Sequence, residues 1–159
     1  YYITTPIVRR FLEESRNLVS MSVMVQEEVA RRFAAKPATP DYGAITVGIN
    51  LRGGAEIVKF VPREKFTPAP NVDSAVVKID LDPEKNKHAD FSAVREAVRA
   101  GFSGRRKMLV NNLINFYKMN RTEAESVLNS AGISLTARGE TLSAEDYIRL
   151  AENIKNAKR

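Results

Sequence analysis

The sequence predicts an α/β region over residues 1–82 followed by a small all-α region over residues 88–159. Three observations predict it. Strand-length apolar runs alternate with helical periodicities up to residue 82. The stretch DPEKNKH (82–88) contains no apolar residue and reads as a linker. Beyond it every apolar pattern has the helical period.

In the first region, Ile3 to Arg16 reads as a helix, with Pro6 in the first turn, where a missing N–H costs little, and Ile7, Val8, Phe11 and Leu12 at helical spacing. LVSMSVMV (18–25) is an apolar run of strand length, of the type buried on both faces of a parallel sheet. QEEVARRFAA (26–35) follows as a helix. KPATPDYG (36–43) reads as a loop; its PxxP spacing lacks the flanking residues of a polyproline ligand. AITVGINL (44–51) admits strand by its β-branching or a short helix by its position, and helix is the favoured reading. Gly53-Gly54 is expected to form a turn, because a phosphate-cradling loop needs a strand before it and a helix after it. AEIVKFV (55–61) and SAVVKIDL (74–81) read as strands, and the residues between them are too rich in proline for a helix or a central strand.

In the second region Asp90 is a candidate N-cap for a helix with Phe91, Val94, Val98 and Phe102 on one face, ended by Gly101 or Gly104. RRKMLVNNLINFY (105–117) reads as a second helix, with Leu109, Leu113 and Phe116 inward. Thr122 and Glu125 suggest a capping box opening a third helix that ends at Gly132. Ser143 starts a fourth, carrying Tyr147, Ile148, Leu150 and Ile154. His88 lies in the linker and is given no role. There is no internal repeat.

Composition narrows the function classes. With 43% hydrophobic residues in 159, the chain can bury a core. It has no Cys, hence no disulfide framework and no thiolate metal site, which fits a reducing, cytoplasmic setting. No apolar run approaches the length of a membrane span. The net charge is +6, and the segment Arg95 to Arg121 alone carries that excess. Positive charge concentrated in this way is the usual footprint of a polyanion partner, although a solvated basic face would read the same.

Three stretches resemble one family, the KsgA-type small-subunit (16S) rRNA adenine N6,N6-dimethyltransferases. FTPAPNVDSAVVKI (66–79) resembles their FxPxPxVDSAVV segment, and FSGRRKMLVNNL (102–113) their RRKxLxNxL helix. GISLTARGETLSAEDYIRLAENI (132–154) is similar to their closing segment, GI…RGExLSxxDYxxLA, and MVQEEVARRF (24–33) is a further match. The resemblance implies the C-terminal part of a class I (Rossmann-like) methyltransferase sheet followed by a small all-α domain. Residues 1–82 would be a partial catalytic domain and 88–159 a helical rRNA-binding domain.

The family closes the fourth strand of its catalytic domain with a loop N-(L/I)-P-Y-(Y/N). By resemblance Tyr1 and Tyr2 hold its last two places, so its Asn and Pro, the Gly-rich loop and the acidic ribose ligand would precede Tyr1. The implied reaction moves methyl groups from S-adenosylmethionine to adenine N6, a weak nucleophile because its lone pair is delocalised into the ring. In the family the Asn side chain and the Pro carbonyl accept the N6 hydrogens, while aromatic faces hold a base extruded from its stack. On this map Tyr1 and Phe66 stack on the target adenine, and Pro68 and Pro70 stiffen the loop that presents Phe66. Arg105, Arg106 and Lys107, expected at a helix start where cations oppose the dipole, would contact the rRNA backbone together with Arg99.

The resemblance also implies that no cofactor-binding residue lies in this chain, that the chain alone is inactive, and that it can associate with itself through an uncovered edge strand at 18–25. The partner would be the immature small ribosomal subunit, with no metal and no membrane involved. A non-catalytic rRNA-binding module and an Erm-type methylase of large-subunit rRNA are the alternatives; the RGETLSAEDYIRLAENI ending argues against the second.

Overall fold

A computed structural model describes residues 3–15 and 17–158. The chain forms two compact units: the residues up to Lys36 together with Pro40–Lys87, and Pro37–Thr39 together with the residues from His88 onward.

The first unit contains α1 (Thr4–Glu14), β1 (Ser20–Gln26), α2 (Glu27–Phe33), α3 (Ala44–Arg52), β2 (Gly53–Val61) and β3 (Ser74–Leu81). The strands form one sheet in the order β1-β3-β2. β3 runs antiparallel to both neighbours, so β1 and β2 point the same way with β3 inserted between them. This corrects the expectation that 18–25 is a strand of parallel type. Its burial alternates and only Val25 is fully buried, as suits an edge strand with one covered face. β3 is the central strand, and Ala75, Val77, Ile79 and Leu81 enter the core from it. Against them pack Val8 and Leu12 of α1, Ala30 and Phe33 of α2, and Ile49 of α3.

Residues 44–51 are helical. The N–H of Gly43 donates to Thr46 Oγ1 (3.1 Å), and that hydroxyl donates to the Arg32 carbonyl (2.6 Å), tying the start of α3 to the end of α2. Arg52 donates to the carbonyls of Leu12 (2.6 Å) and Ser15 (3.0 Å), which supplies donors to the open end of α1. The turn expected at Gly53-Gly54 is absent. These residues open β2, paired with Leu81 and Asp80, and a Cβ at Gly53 would overlap the Asp80 carbonyl. The requirement for glycine is a close approach of two backbones.

The second unit contains α4 (Phe91–Phe102), α5 (Leu109–Tyr117), α6 (Arg121–Ser130), a 3-10 turn at Gly139–Thr141 and α7 (Ala144–Ala157). Asp90 caps α4 through the N–H of Ala93 (3.1 Å) and bonds Lys155 Nζ (3.0 Å), and these partners hold its carboxyl below the usual range. α4 runs through Gly101 and stops at Phe102. Ser143 caps α7 with Asp146 as its reciprocal partner. The capping box of α6 uses Asn120 and Glu123, two residues earlier than the expected Thr122–Glu125. Glu125 instead accepts from Arg121 Nε (2.7 Å). Gly132, at φ +68, follows the end of α6 in the left-handed conformation that glycine adopts without a steric penalty.

The centre of this unit is a close approach of α4, α7 and the 3-10 turn. A Cβ at Gly101 would overlap the Tyr147 hydroxyl, and one at Gly139 would overlap the Gly101 carbonyl. Tyr147 is fully buried, donates to the Gly139 carbonyl (2.9 Å) and stacks on Phe102 at 6.2 Å. The strings around Gly101, Gly139 and Tyr147 are therefore parts of one packing unit.

Candidate functional sites

Two regions carry the residues singled out from the sequence, one in each unit. In the first unit it is the connection 62–73, which leaves β2 at Val61 and returns to β3 at Ser74, two residues paired with each other. Gln26, the last residue of β1, pairs with Ser74 on the other side. The connection thus springs from the end of the sheet at which β1 finishes. It begins with a 3-10 turn, Arg63–Lys65, and its Thr67–Pro68 peptide is cis.

Phe66 follows the turn, is half-buried, and donates its N–H to the Arg63 carbonyl (3.2 Å). A cleft of about 590 Å³ opens between the start of α2 (Gln26, Glu27, Arg31) and the two ends of the connection (Arg63, Asn71, Asp73). Phe66 lies between those ends in sequence and is not one of the cleft's lining residues. Arg31 pairs with Glu27 and sits 5.6 Å from the centre of the exposed Phe60 ring. Tyr1, the other stacking candidate, lies outside the described residues.

In the second unit Arg105, Arg106 and Lys107 do not begin a helix. They form the turn between α4 and α5, and α5 starts at Leu109. The expected opposition of cations to a helix dipole therefore does not arise. Three hydrogen bonds fix the turn instead: the Leu109 N–H donates to the Ala137 carbonyl (2.8 Å), and the buried Asn112 amide donates to the carbonyls of Gly101 (2.9 Å) and Gly104 (3.2 Å). Within the turn Lys107 N–H bonds the Gly104 carbonyl (2.9 Å). The backbone is fixed from inside, and the three cationic side chains are exposed. Arg105 Nε pairs with Glu140 Oε2 at 2.9 Å, so this cation is shared with a carboxylate of the 3-10 turn. Arg99 is exposed on α4.

The structure adds residues that sequence reasoning passed over. Asn112 shapes the basic turn, Glu140 engages Arg105, and Arg138, exposed, stands next to Gly139, which packs against Gly101. Asp73 bonds the start of the connection that bears Phe66. Asn112, Gly139, Glu140 and Asp73 all stand inside the family-like strings quoted above. Their signal was present in the strings; which residues they bond to was not.

Gly53-Gly54, the glycine pair weighed as a phosphate-cradling loop, is committed to the pairing of β2 with β3. Among the described residues there is also no metal-binding cluster of His, Asp and Glu, and no helix is long and apolar enough to cross a membrane.

Comparison with known proteins gives one consistent result. The family model described as Ribosomal RNA adenine dimethylase matches residues 1–156. The chain is 42% identical over 162 residues to the Ribosomal RNA small subunit methyltransferase A of Geobacillus thermodenitrificans, covering 97% of the chain and 54% of that protein. It is 43% identical over 159 residues to the protein of the same name in Clostridioides difficile, covering 99% of the chain and 55% of the relative. The chain thus spans about half the length of these relatives. Among solved structures, a dimethyladenosine transferase from Plasmodium falciparum superposes with a TM-score of 0.85 at 21% identity, over 99% of this chain and 65% of that one, which shows the fold. The 23S rRNA methyltransferase ErmE gives a TM-score of 0.65 at 28% identity, over 98% and 62%.

Proposed function

Since the chain belongs to the ribosomal RNA adenine dimethylase family, we propose that the protein carrying it methylates adenine N6 of small-subunit rRNA during ribosome assembly in the cytoplasm. One observation carries this reading: the correspondence at 42% identity runs along 97% of the chain and is to proteins named for the small subunit. S-adenosylmethionine would supply the methyl group and would be held by parts of the parent protein other than this chain.

The residues in hand serve substrate binding. Phe66, with Tyr1, stacks on the extruded adenine; stacking contributes about 1–3 kcal/mol per base and tolerates any orientation of the base edges. Arg99, Arg106 and Lys107 meet rRNA phosphates from the exposed surface of α4 and the basic turn, with Arg105 partly neutralised by Glu140. Residues up to 82 act as the catalytic part and residues from 88 as the rRNA-binding part. Isolated, the chain is inactive and associates with itself through the open edge of β1.

The test is methyl transfer by the full-length protein to undermethylated small ribosomal subunits, with the product nucleosides identified by mass spectrometry. The expected product is N6,N6-dimethyladenosine in small-subunit rRNA, and the isolated chain should form none. A second reading, an Erm-type methylase, rests on the structural likeness to ErmE; methylation confined to large-subunit rRNA would establish it in place of the first.

A further inference from the structure

We propose that Asp73 is a positioning residue for Phe66, closing the neck of the loop that presents this ring to the target base. The inference rests on the reading of Phe66 as a stacking residue and explains the VDS part of the FTPAPNVDSAVV string, which that reading leaves unused.

The geometry is a relay of hydrogen bonds. The Asp73 carbonyl accepts the N–H of Glu27 (3.0 Å), which fixes Asp73 to the first residue of α2. Asp73 Oδ1 accepts the N–H of Arg63 (2.9 Å), which joins the end of the loop to its beginning. The Arg63 carbonyl accepts the N–H of Phe66 (3.2 Å), and the Arg63 guanidinium donates to the Asn71 carbonyl (3.3 Å). A continuous path therefore leads from α2 through Asp73 and Arg63 to the backbone of Phe66. The loop needs such a device because Pro62, Pro68 and Pro70 have no N–H to donate. Its ends are held by the Val61–Ser74 pair, and Asp73 extends that closure to the turn directly before the ring. Asparagine would keep the acceptor oxygen and alanine would not.

The experiment measures kcat and KM separately for the full-length protein acting on undermethylated small ribosomal subunits, with thermal unfolding in parallel. D73A should lower kcat about tenfold, because a small misplacement of a positioning group is felt in the transition state. D73N should stay close to wild type, and D73A should add nothing to F66A. A second pair removes the donor instead. R63P deletes the N–H that Asp73 accepts, at a position that opens a turn and tolerates proline; Pro62 already has the extended backbone (ψ 143) that a following proline requires. R63A keeps the N–H and loses the guanidinium. R63P should be about tenfold slower than R63A, and this comparison decides the matter if D73A does not fold. Wild-type kcat in D73A, D73N as slow as D73A, or R63P equal to R63A would overturn the latch. F66A with wild-type kcat would overturn the stacking reading itself, and the latch with it.

Discussion

Gly101 illustrates how a single missing atom can organise a domain. The space its Cβ would occupy is filled by the Tyr147 hydroxyl, which is thereby aimed at the Gly139 carbonyl. Gly139 in turn lies against the Gly101 carbonyl, so three residues from three segments share one contact. Neither Tyr147 nor Gly101 has room to yield, because both are buried. G101A should therefore destabilise the protein by about 3 kcal/mol, the upper part of the range for overpacking, since the intruding methyl also displaces a buried hydrogen bond. Y147F alone should cost about 1 kcal/mol by removing the Tyr147 hydrogen bond to the Gly139 carbonyl, which keeps only the longer bond from the Leu142 N–H (3.3 Å). In the Y147F background G101A should cost clearly less than in wild type, because the clashing oxygen is gone. Urea unfolding of the four proteins measures the cycle; strict additivity would show that the clash is relieved elsewhere.

Elements differ in how much of their placement depends on partners that sequence cannot reveal. β3 was legible at both ends, because SAVVKIDL combines apolar alternation with β-branching and sits at the centre of the sheet. Ser143 was legible as a cap because its own Asp146 answers it locally. The start of α5 was not, since Ala137 and Asn112 dictate it across the fold. At α6 two overlapping boxes both satisfied the local rule, and the earlier one won where Glu125 was taken by Arg121. Candidate site residues followed the same division: Phe66 and the cations are named by their strings, whereas the Asp73 and Glu140 contacts exist only in three dimensions. β1 belongs to both classes. Its existence was legible and its direction was not, and it is an edge strand with Met24 48% exposed and Val19, just before it, 62% exposed. An apolar edge of this kind is a template on which another strand can pair, as the proposed self-association requires. The isolated chain should sediment as a dimer or larger at high concentration, and M24K should shift it toward monomer. A clean monomer of the unmodified chain would remove the proposed association.

Charge is a property of the whole molecule, and here it is strongly localised. The excess of +6 resides between Arg95 and Arg121, and the rest of the chain is neutral. If this surface meets rRNA phosphates, each contact releases counterions, and affinity falls with salt by a slope of about 0.7–0.9 per charge neutralised. Arg106 and Lys107 project from a turn whose backbone is held by Asn112, so replacing them should leave the fold intact. The variant R106A/K107A should make the slope of log affinity against log salt shallower by about 1.5, near the sum of two contacts. R105A should change it less than R106A, because Glu140 already shares the Arg105 charge. Filter binding of full-length protein to small-subunit rRNA across a salt series measures all three. An unchanged slope in the double variant would show that the turn is solvated charge, and rRNA binding would then have to be sought on another face of the protein.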